Sequence, residues 1–200
     1  MDHSPLNELS YIESPPLLER ILERTKELGF NMASEPRTGA LLQALAASKA
    51  HGRLLELGTG TGIAAAWLLS GMDSDSTLTS VDTDASVQAV AHEYLADDRR
   101  LNLVLGDALQ FLESQQPESY DLVFADAMPG KYEGLSQCLS VVKPGGIYII
   151  DDMLPQPNWP DGHAAKIPVL IEALAKDAAF RVVPIGWASG IVIAVKRGPF

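Results

Sequence analysis

A run of apolar residues that leads directly into three alternating glycines constrains this chain most. The segment LLELGTGTG spans residues 54–62. Glycine lacks the Cβ that would block a tight turn and the close approach of backbone to a ligand. The apolar residues 63–69 that follow can open a helix whose N-terminus lies beside that ligand. The pattern therefore predicts a strand, a turn and a helix that together bind a nucleotide-type cofactor.

The spacing of these glycines narrows the choice of cofactor. Dinucleotide-binding turns read G-x-G-x-x-G, whereas this chain reads G-x-G-x-G with Glu56 two positions before the first glycine. An acidic residue there favours a cationic ligand over a pyrophosphate. Asp82 ends the next apolar run, and its carboxylate can accept both ribose hydroxyl protons of either cofactor type. A dinucleotide-dependent oxidoreductase thus stays as an alternative that the glycine spacing and Glu56 disfavour.

From Arg53 onward, short apolar runs alternate with helical stretches, which predicts an α/β fold with a parallel sheet covered on both faces. The last two strands are separated by three residues, too few for a crossover helix, so they should pair as an antiparallel hairpin. The predicted strands are 53–58, 78–82, 101–105, 120–125, 146–150, 181–186 and 190–196, and the predicted helices among them are 62–70, 84–96, 107–114, 131–141 and 165–178.

The residues before the sheet predict a loose arm to about Glu13 and then two helices. Ser14 suits the N-cap of the first helix, with proline at its first position, and Gly29 ends it. The second helix fits 37–48. These helices either cover the cofactor or contact a second subunit in a homodimer, and the sequence leaves both open.

Composition limits the partners. The 200 residues are 46% hydrophobic, which suits one globular domain, and the formal net charge of -11 disfavours nucleic acid. No run approaches the roughly 18 apolar residues that a membrane span needs, and no basic-then-apolar leader opens the chain. We therefore expect a cytoplasmic protein with no membrane association. Cys138 is the one cysteine, and packing is its expected role.

Further polar residues follow the apolar runs, where ligands of such sheets bind. Thr83 follows Asp82, and Gly106, Asp107 and Ala108 follow the third strand. Asp82 and Asp107 can instead cap the helices that follow them.

Together these elements resemble the class I S-adenosylmethionine-dependent methyltransferases, whose first motif is an acidic residue followed by x-G-x-G-x-G. The resemblance implies a Rossmann-like, doubly wound sheet of seven mostly parallel strands, with the seventh strand between the fifth and sixth. It also implies that Glu56 lies near the methionine end of the cofactor, that Asp82 binds the ribose and that the Asp107 region recognises the adenine. The implied cofactor-binding residues are Glu56, Gly58, Thr59, Gly60, Gly62, Asp82, Thr83, Gly106, Asp107, Ala108 and Asp126.

Residues 34–42, SEPRTGALL, resemble the segment before the glycine motif in the O-methyltransferases related to the catechol and caffeoyl-coenzyme A enzymes. This resemblance covers about residues 32–197. It implies three ligands of Mg²⁺ or another divalent metal, matched here by Asp126, Asp151 and Asp152, with Asp in place of Asn at 152. The family's lysine comes three residues after the first Asp, whereas Lys131 comes five after it.

Three residues are the candidates for catalysis. Asp126 lies at a strand end, Lys131 can act as a base or electrostatic aid, and His163 can act as a general base if no metal is present. The loop 153–164, which contains Trp159, is the candidate lid over an aromatic acceptor. Lys131 as a solvated lysine, Trp159 as a packing residue and His163 as an exposed surface residue are the plainer alternatives.

The main functional hypothesis is an O-methyltransferase that acts on a small, phenolic or enolic acceptor. The rival is an N-methyltransferase that acts on an amine or a protein side chain, in which the acidic cluster binds a cation. A catalytically silent cofactor-binding subunit is a further alternative.

Overall fold

The structure is a computed structural model that describes residues 11–159 and 161–198. Residues 1–10, most of the predicted arm, lie outside the described part. The helices are α1 (Leu18–Leu28), α2 (Pro36–Ala47), α3 (Ile63–Gly71), α4 (Ala85–Leu95), α5 (Ala108–Glu113), α6 (Leu135–Ser140) and α7 (Lys166–Lys176). The strands are β1 (Arg53–Leu57), β2 (Thr77–Asp82), β3 (Leu101–Leu105), β4 (Tyr120–Ala125), β5 (Val142–Ile150), β6 (Phe180–Ile185) and β7 (Ile191–Lys196).

All seven strands form one sheet in the order β3-β2-β1-β4-β5-β7-β6. Strands β1 to β5 are parallel, and β7 runs antiparallel to both β5 and β6. The predicted C-terminal hairpin and the insertion of the last strand are therefore confirmed. The strand order reverses between β1 and β4, and a crevice for a ligand forms at such a point.

The two faces of the sheet carry separate apolar cores because side chains alternate along each strand. Leu54 and Phe124 pack with residues of α1 to α4, whereas Leu55 and Val123 pack with residues of α5 to α7. Cys138 is a free thiol, fully buried in the second core, as expected for a packing residue. No helix among the described residues is long and apolar enough to cross a bilayer.

Two predicted helix starts are wrong. Helix α1 begins at Leu18 with Leu17 as its N-cap, and no side chain caps it, so Ser14 does not start the helix. Helix α6 begins at Leu135 instead of 131, because Gly134 adopts φ 66° and the preceding residues form a tight turn that bonds to the Met128 carbonyl. Strand β5 starts earlier than predicted, at Val142, which pairs with Tyr120 across a register shift.

Glycines at positions 39 and 71 allow helices α2 and α3 to approach each other closely. A Cβ on Gly39 would lie 2.3 Å from the indole ring of Trp67, and one on Gly71 would lie 2.0 Å from the Gln43 carbonyl oxygen. Trp67 is fully buried. The glycine of the segment 34–42 therefore has a packing function that places α2 against α3.

We predict that Gly39→Ala lowers the free energy of unfolding by about 1–3 kcal/mol, because the added methyl group overpacks against an indole ring that has no room to move. Denaturant unfolding measures this change. Gly186→Ala is the matched control, since a Cβ there meets no atom within 4 Å. Equal stability of the two variants would contradict the packing argument.

Candidate active site

The turn after β1 brings two strand ends into direct contact. Gly58 has φ 100°, and a Cβ there would lie 2.8 Å from the backbone oxygen of Asp126. The Gly58 N–H donates to the Val81 carbonyl at 2.9 Å, and the Asp126 N–H donates to the Leu57 carbonyl at 2.9 Å. Only glycine combines this φ with this close approach. The ends of β1, β2 and β4 are thereby held together.

A cavity of about 310 Å³ opens at these strand ends. That volume lies at the lower end of the range of roughly 300–1,000 Å³ found for small-molecule and cofactor sites. The predicted cofactor residues that line it are Gly58, Thr59, Gly60, Asp82, Thr83 and Asp126.

Both carboxylate oxygens of Asp82 accept backbone hydrogen bonds, one of them from the glycine turn. Oδ2 accepts from the Gly60 N–H at 2.7 Å, and Oδ1 accepts from the Asp84 N–H at 2.9 Å. The cap of α4 is Asp84, whose side chain accepts from the Ser86 N–H at 2.8 Å. Asp82 is therefore free of a capping role and presents its carboxylate at the edge of the cavity.

Four other predicted cofactor residues do not line the cavity. Gly62 is the N-cap of α3, and a Cβ there would lie 2.7 Å from that of Ala91. Asp107 caps α5 by accepting from the Gln110 N–H at 2.9 Å, which is the capping alternative. The Gly106 N–H donates to the Asp82 carbonyl, and Ala108 is buried.

Glu56 lies inside the sheet, fully buried, and not in the lining of the cavity. Its Oε2 accepts from the Ser80 hydroxyl, which lies 2.6 Å from the Thr59 hydroxyl, and Gln88 Nε2 donates to Thr59 at 3.1 Å. Oε1 has no hydrogen-bond partner among the described residues. Burial raises the pKa of Glu56 to about 8, further supported by the charges of Asp126 and Asp82 and opposed by the Ser80 bond. Burial therefore favours the protonated form of Glu56.

The segment between α1 and α2 covers the cavity, a contribution that the sequence pattern did not reveal in detail. Phe30, Met32, Ala33 and Ser34 line it, and the Ser34 hydroxyl donates to Asp126 Oδ2 at 3.0 Å. This segment has no hydrophobic periodicity, so only its position before 34–42 could have indicated a role. The other lining residues not predicted are Thr61, Ile63, Ala64, Asp84, Val87 and Ala127.

A second, smaller cavity of about 70 Å³ adjoins the first. Met32, Ala33, Ser34 and Asp126 line both cavities. The structure places all three predicted metal ligands in the lining of the second cavity, which consists of Asn31, Met32, Ala33, Ser34, Glu35, Asp126, Asp151, Asp152, Gln156, Asn158 and Ser189.

Comparison with known proteins now identifies the family. A family model described as O-methyltransferase matches residues 7–197. The chain belongs to the O-methyltransferase family. A Mycobacterium avium protein assigned to the O-methyltransferases is 30% identical over 197 residues, which cover 92% of this chain and 87% of that protein.

Solved structures agree with this assignment. A Klebsiella pneumoniae structure assigned to the O-methyltransferases superposes with a TM-score of 0.81 at 27% identity, covering 95% of this chain and 94% of the other. An O-methyltransferase from Bacillus cereus, solved in complex with SAH, superposes with a TM-score of 0.81 at 21% identity, covering 94% and 93%. The protein is an O-methyltransferase with the Rossmann-like fold of this family.

The three carboxylates of this O-methyltransferase do not fit a divalent metal as they are arranged. Among the described residues, no three His, Cys, Asp or Glu side chains form a group that could hold a metal ion. A cation already lies against two of these residues: Lys131 Nζ lies 3.4 Å from Asp126 Oδ1 and donates to the Asp151 carbonyl at 2.9 Å. Lys131 is buried, which rules out the solvated-lysine alternative.

Burial also makes two of these carboxyl groups weak acids. It raises the pKa of Asp126, against the lowering effect of Lys131. It raises the pKa of Asp151 to about 7, with the Asp126 charge adding to the effect and a hydrogen bond from Ser189 opposing it. Both groups are therefore weaker acids than an exposed aspartate.

His163 lies in an aromatic cluster and not against the carboxylates. Its Nε2 is 3.2 Å from the Tyr132 hydroxyl, and its ring centroid lies 4.5 Å from that of Trp159. Burial, followed by the charges of Lys166 and Lys131, lowers the pKa of His163.

We predict that Glu56→Gln removes part of the pH dependence of stability. The folded protein binds the Glu56 proton more tightly than the unfolded chain, whose ordinary value is 4.5. This contribution is therefore fully present below about pH 4.5 and is lost as the pH rises to about 8, a change on the order of a few kcal/mol.

The measurement is urea unfolding of the wild type and the Gln variant at steps from pH 5 to 9. The difference between the two curves should favour the variant increasingly as the pH rises. A difference that does not change with pH would show that Glu56 is ionised throughout.

Proposed function

We propose that the enzyme transfers the methyl group of S-adenosylmethionine, held in the larger cavity, to a hydroxyl group that a small aromatic acceptor places in the smaller one. The observation that carries this proposal is the position of Asp126. Asp126 lines both cavities and is the one carboxylate that does so among the described residues, so a donor in the first and an acceptor in the second would meet beside it.

The geometry of the larger cavity supports the cofactor's orientation. Asp82 is already fixed by the Gly60 and Asp84 N–H groups, so its carboxylate is preorganised to accept the two ribose hydroxyl protons. The exposed backbone of the glycine turn can then approach the rest of the cofactor. The methionine end would extend toward Asp126, beneath the cover formed by Met32 and Ser34.

The transfer can be written with the residues present. The acceptor hydroxyl gives its proton to the Asp126 carboxylate while its oxygen attacks the sulfonium methyl group. A C–O bond forms, the C–S bond breaks and its electron pair stays on sulfur, which gives S-adenosylhomocysteine. The reaction neutralises charge, so positioning and exclusion of water contribute most of the advantage. A proton acceptor in contact contributes a further 10²–10⁴-fold, roughly.

The roles of the other two catalytic candidates follow from their contacts. Lys131 is an ammonium donor to Asp126 and Asp151, so it positions those groups and does not serve as the base. His163, with Tyr132 and Trp159, forms an aromatic cluster beside the Asp152 charge. That cluster supports an aromatic acceptor, whose ring would pack against it.

A homodimer belongs to the same proposal. The side chains of Leu22 and Leu28 on α1, and of Met32 after it, are exposed. They support the contact of a second copy with the face that covers the cofactor.

For the cofactor site, we predict that Asp82→Ala weakens S-adenosylmethionine binding by at least about tenfold, because two charge-assisted hydrogen bonds are lost and the glycine turn is no longer fixed. Isothermal titration calorimetry measures the affinity, with NADH as a second ligand. Asp97→Ala is the control, since Asp97 lies away from the cavity. Unchanged affinity in the Asp82 variant, or preferential binding of NADH, would overturn the assignment.

For the transfer step, we predict that Asp126→Asn lowers kcat by roughly 10²-fold or more while cofactor affinity changes little. The assay follows S-adenosylhomocysteine release with a panel of catechols, phenols and, as the rival class, primary amines. Methylation of amines alone, or full turnover by the Asn variant, would contradict the proposal.

A further inference from the structure

We propose that Lys131 is the built-in counter-cation of the carboxylates at the ends of β4 and β5, and that methyl transfer in this enzyme therefore needs no divalent metal. The inference rests on the proposed function and specifies which group balances the negative charge at the acceptor site. It departs from the metal site that the resemblance to the catechol-type enzymes implies.

The ammonium group of Lys131 lies at the ends of two neighbouring strands. Lys131 Nζ connects the ends of two neighbouring strands by binding Asp151 through its backbone oxygen and Asp126 through Oδ1. The side chain of Lys131 is only 6% exposed, and that of Asp126 only 12%. A buried ion pair of this kind is held in place, because the loss of either partner leaves an uncompensated charge.

Several contacts fix the turn that carries Lys131. Gly130 adopts φ 87°, and a Cβ there would lie 2.5 Å from a methyl group of Leu57. The Gly130 carbonyl accepts from the buried Tyr148 hydroxyl, and its N–H donates to the Glu133 carbonyl at 2.7 Å. These contacts hold the backbone beside Lys131 in place, and from there its side chain reaches Asp126 and the Asp151 carbonyl.

The carboxylate oxygens of Asp126 and Asp151 already accept hydrogen bonds from the protein. Asp126 Oδ2 accepts from Ser34, and Asp151 Oδ1 accepts from both the Ser189 hydroxyl and the Asp152 N–H. A magnesium ion needs near-octahedral oxygen ligands at roughly 2.0–2.1 Å. Such an ion would compete with these donors for the Asp126 and Asp151 oxygens and would also lie close to the positive charge of Lys131.

The test compares Mn²⁺ binding and methyl transfer in the purified wild type and in Lys131→Met, whose side chain has a similar length and no charge. We expect the wild type to show no saturable Mn²⁺ binding by calorimetry or electron paramagnetic resonance, and to keep its transfer rate within about twofold after exhaustive chelation. In Lys131→Met the uncompensated carboxylates should gain Mn²⁺ binding, and transfer should fall at least about tenfold without metal.

Two further variants separate charge from structure. Lys131→Arg keeps the cation and should gain no Mn²⁺ binding. Lys143→Met removes a lysine that also pairs with an aspartate, Asp121, at 2.7 Å but on the surface, so it should bind no Mn²⁺ either.

The proposal is overturned if the wild type binds Mn²⁺ in a way that Asp126→Asn abolishes, if chelation stops transfer in the wild type, or if Lys131→Met behaves as the wild type does. Should Lys131→Met fail to fold, the titration of the wild type alone decides. An absence of transfer to every acceptor would instead sink the proposed function, and the Mn²⁺ titrations would still test the counter-cation.

Discussion

The contact between Gly58 and the backbone of Asp126 is the constraint on which the site depends. A left-handed glycine at the end of β1 lets the neighbouring strand end approach within van der Waals distance. The strand order reverses at this place, and the two cavities open here. The Asp82 carboxylate then accepts from the N–H of Gly60, the next glycine of the turn. The segment before α2 covers the opening of the larger cavity. Any side chain at position 58 would separate β1 from β4 and move Asp126 away from the junction of the cavities.

Electrostatics at this junction is governed by burial. Glu56 and Asp151 are weak acids because they are removed from water, and the whole chain carries a formal net charge of -11. Lys131 is the ammonium group that lies against Asp126, and it compensates part of this charge inside the site. Burial thus favours the protonated form of Glu56 in the core, and the protein retains charge where a sulfonium ligand and an acceptor hydroxyl would meet. A sulfonium cation is also favoured by the remaining carboxylates at the cavity edge.

The sequence predicted the sheet, its C-terminal hairpin and the edge at which ligands bind, because hydrophobic alternation and glycine spacing are local patterns with direct structural causes. It also placed Asp82 and Asp126 in the cavity. The start of α1 was wrong because a serine before two prolines resembles a cap whether or not its hydroxyl reaches an N–H group. The burial of Glu56 outside the cavity lining did not follow from the motif, because a motif does not show which way a strand residue faces. The link between Lys131 and Asp126 depends on the shape of a turn, which spacing alone does not specify.

The central claim is that Asp126 lies between a cofactor held by Asp82 and an acceptor hydroxyl. A crystal structure of the protein with S-adenosylhomocysteine and a catechol tests it most directly. The account predicts the ribose hydroxyls on the Asp82 carboxylate, the acceptor oxygen within hydrogen-bond distance of Asp126 and on the sulfur side of the cofactor, and the Lys131 ammonium group still against Asp126. Cofactor density outside the larger cavity, or an acceptor oxygen that faces away from Asp126 and the sulfur, would contradict it.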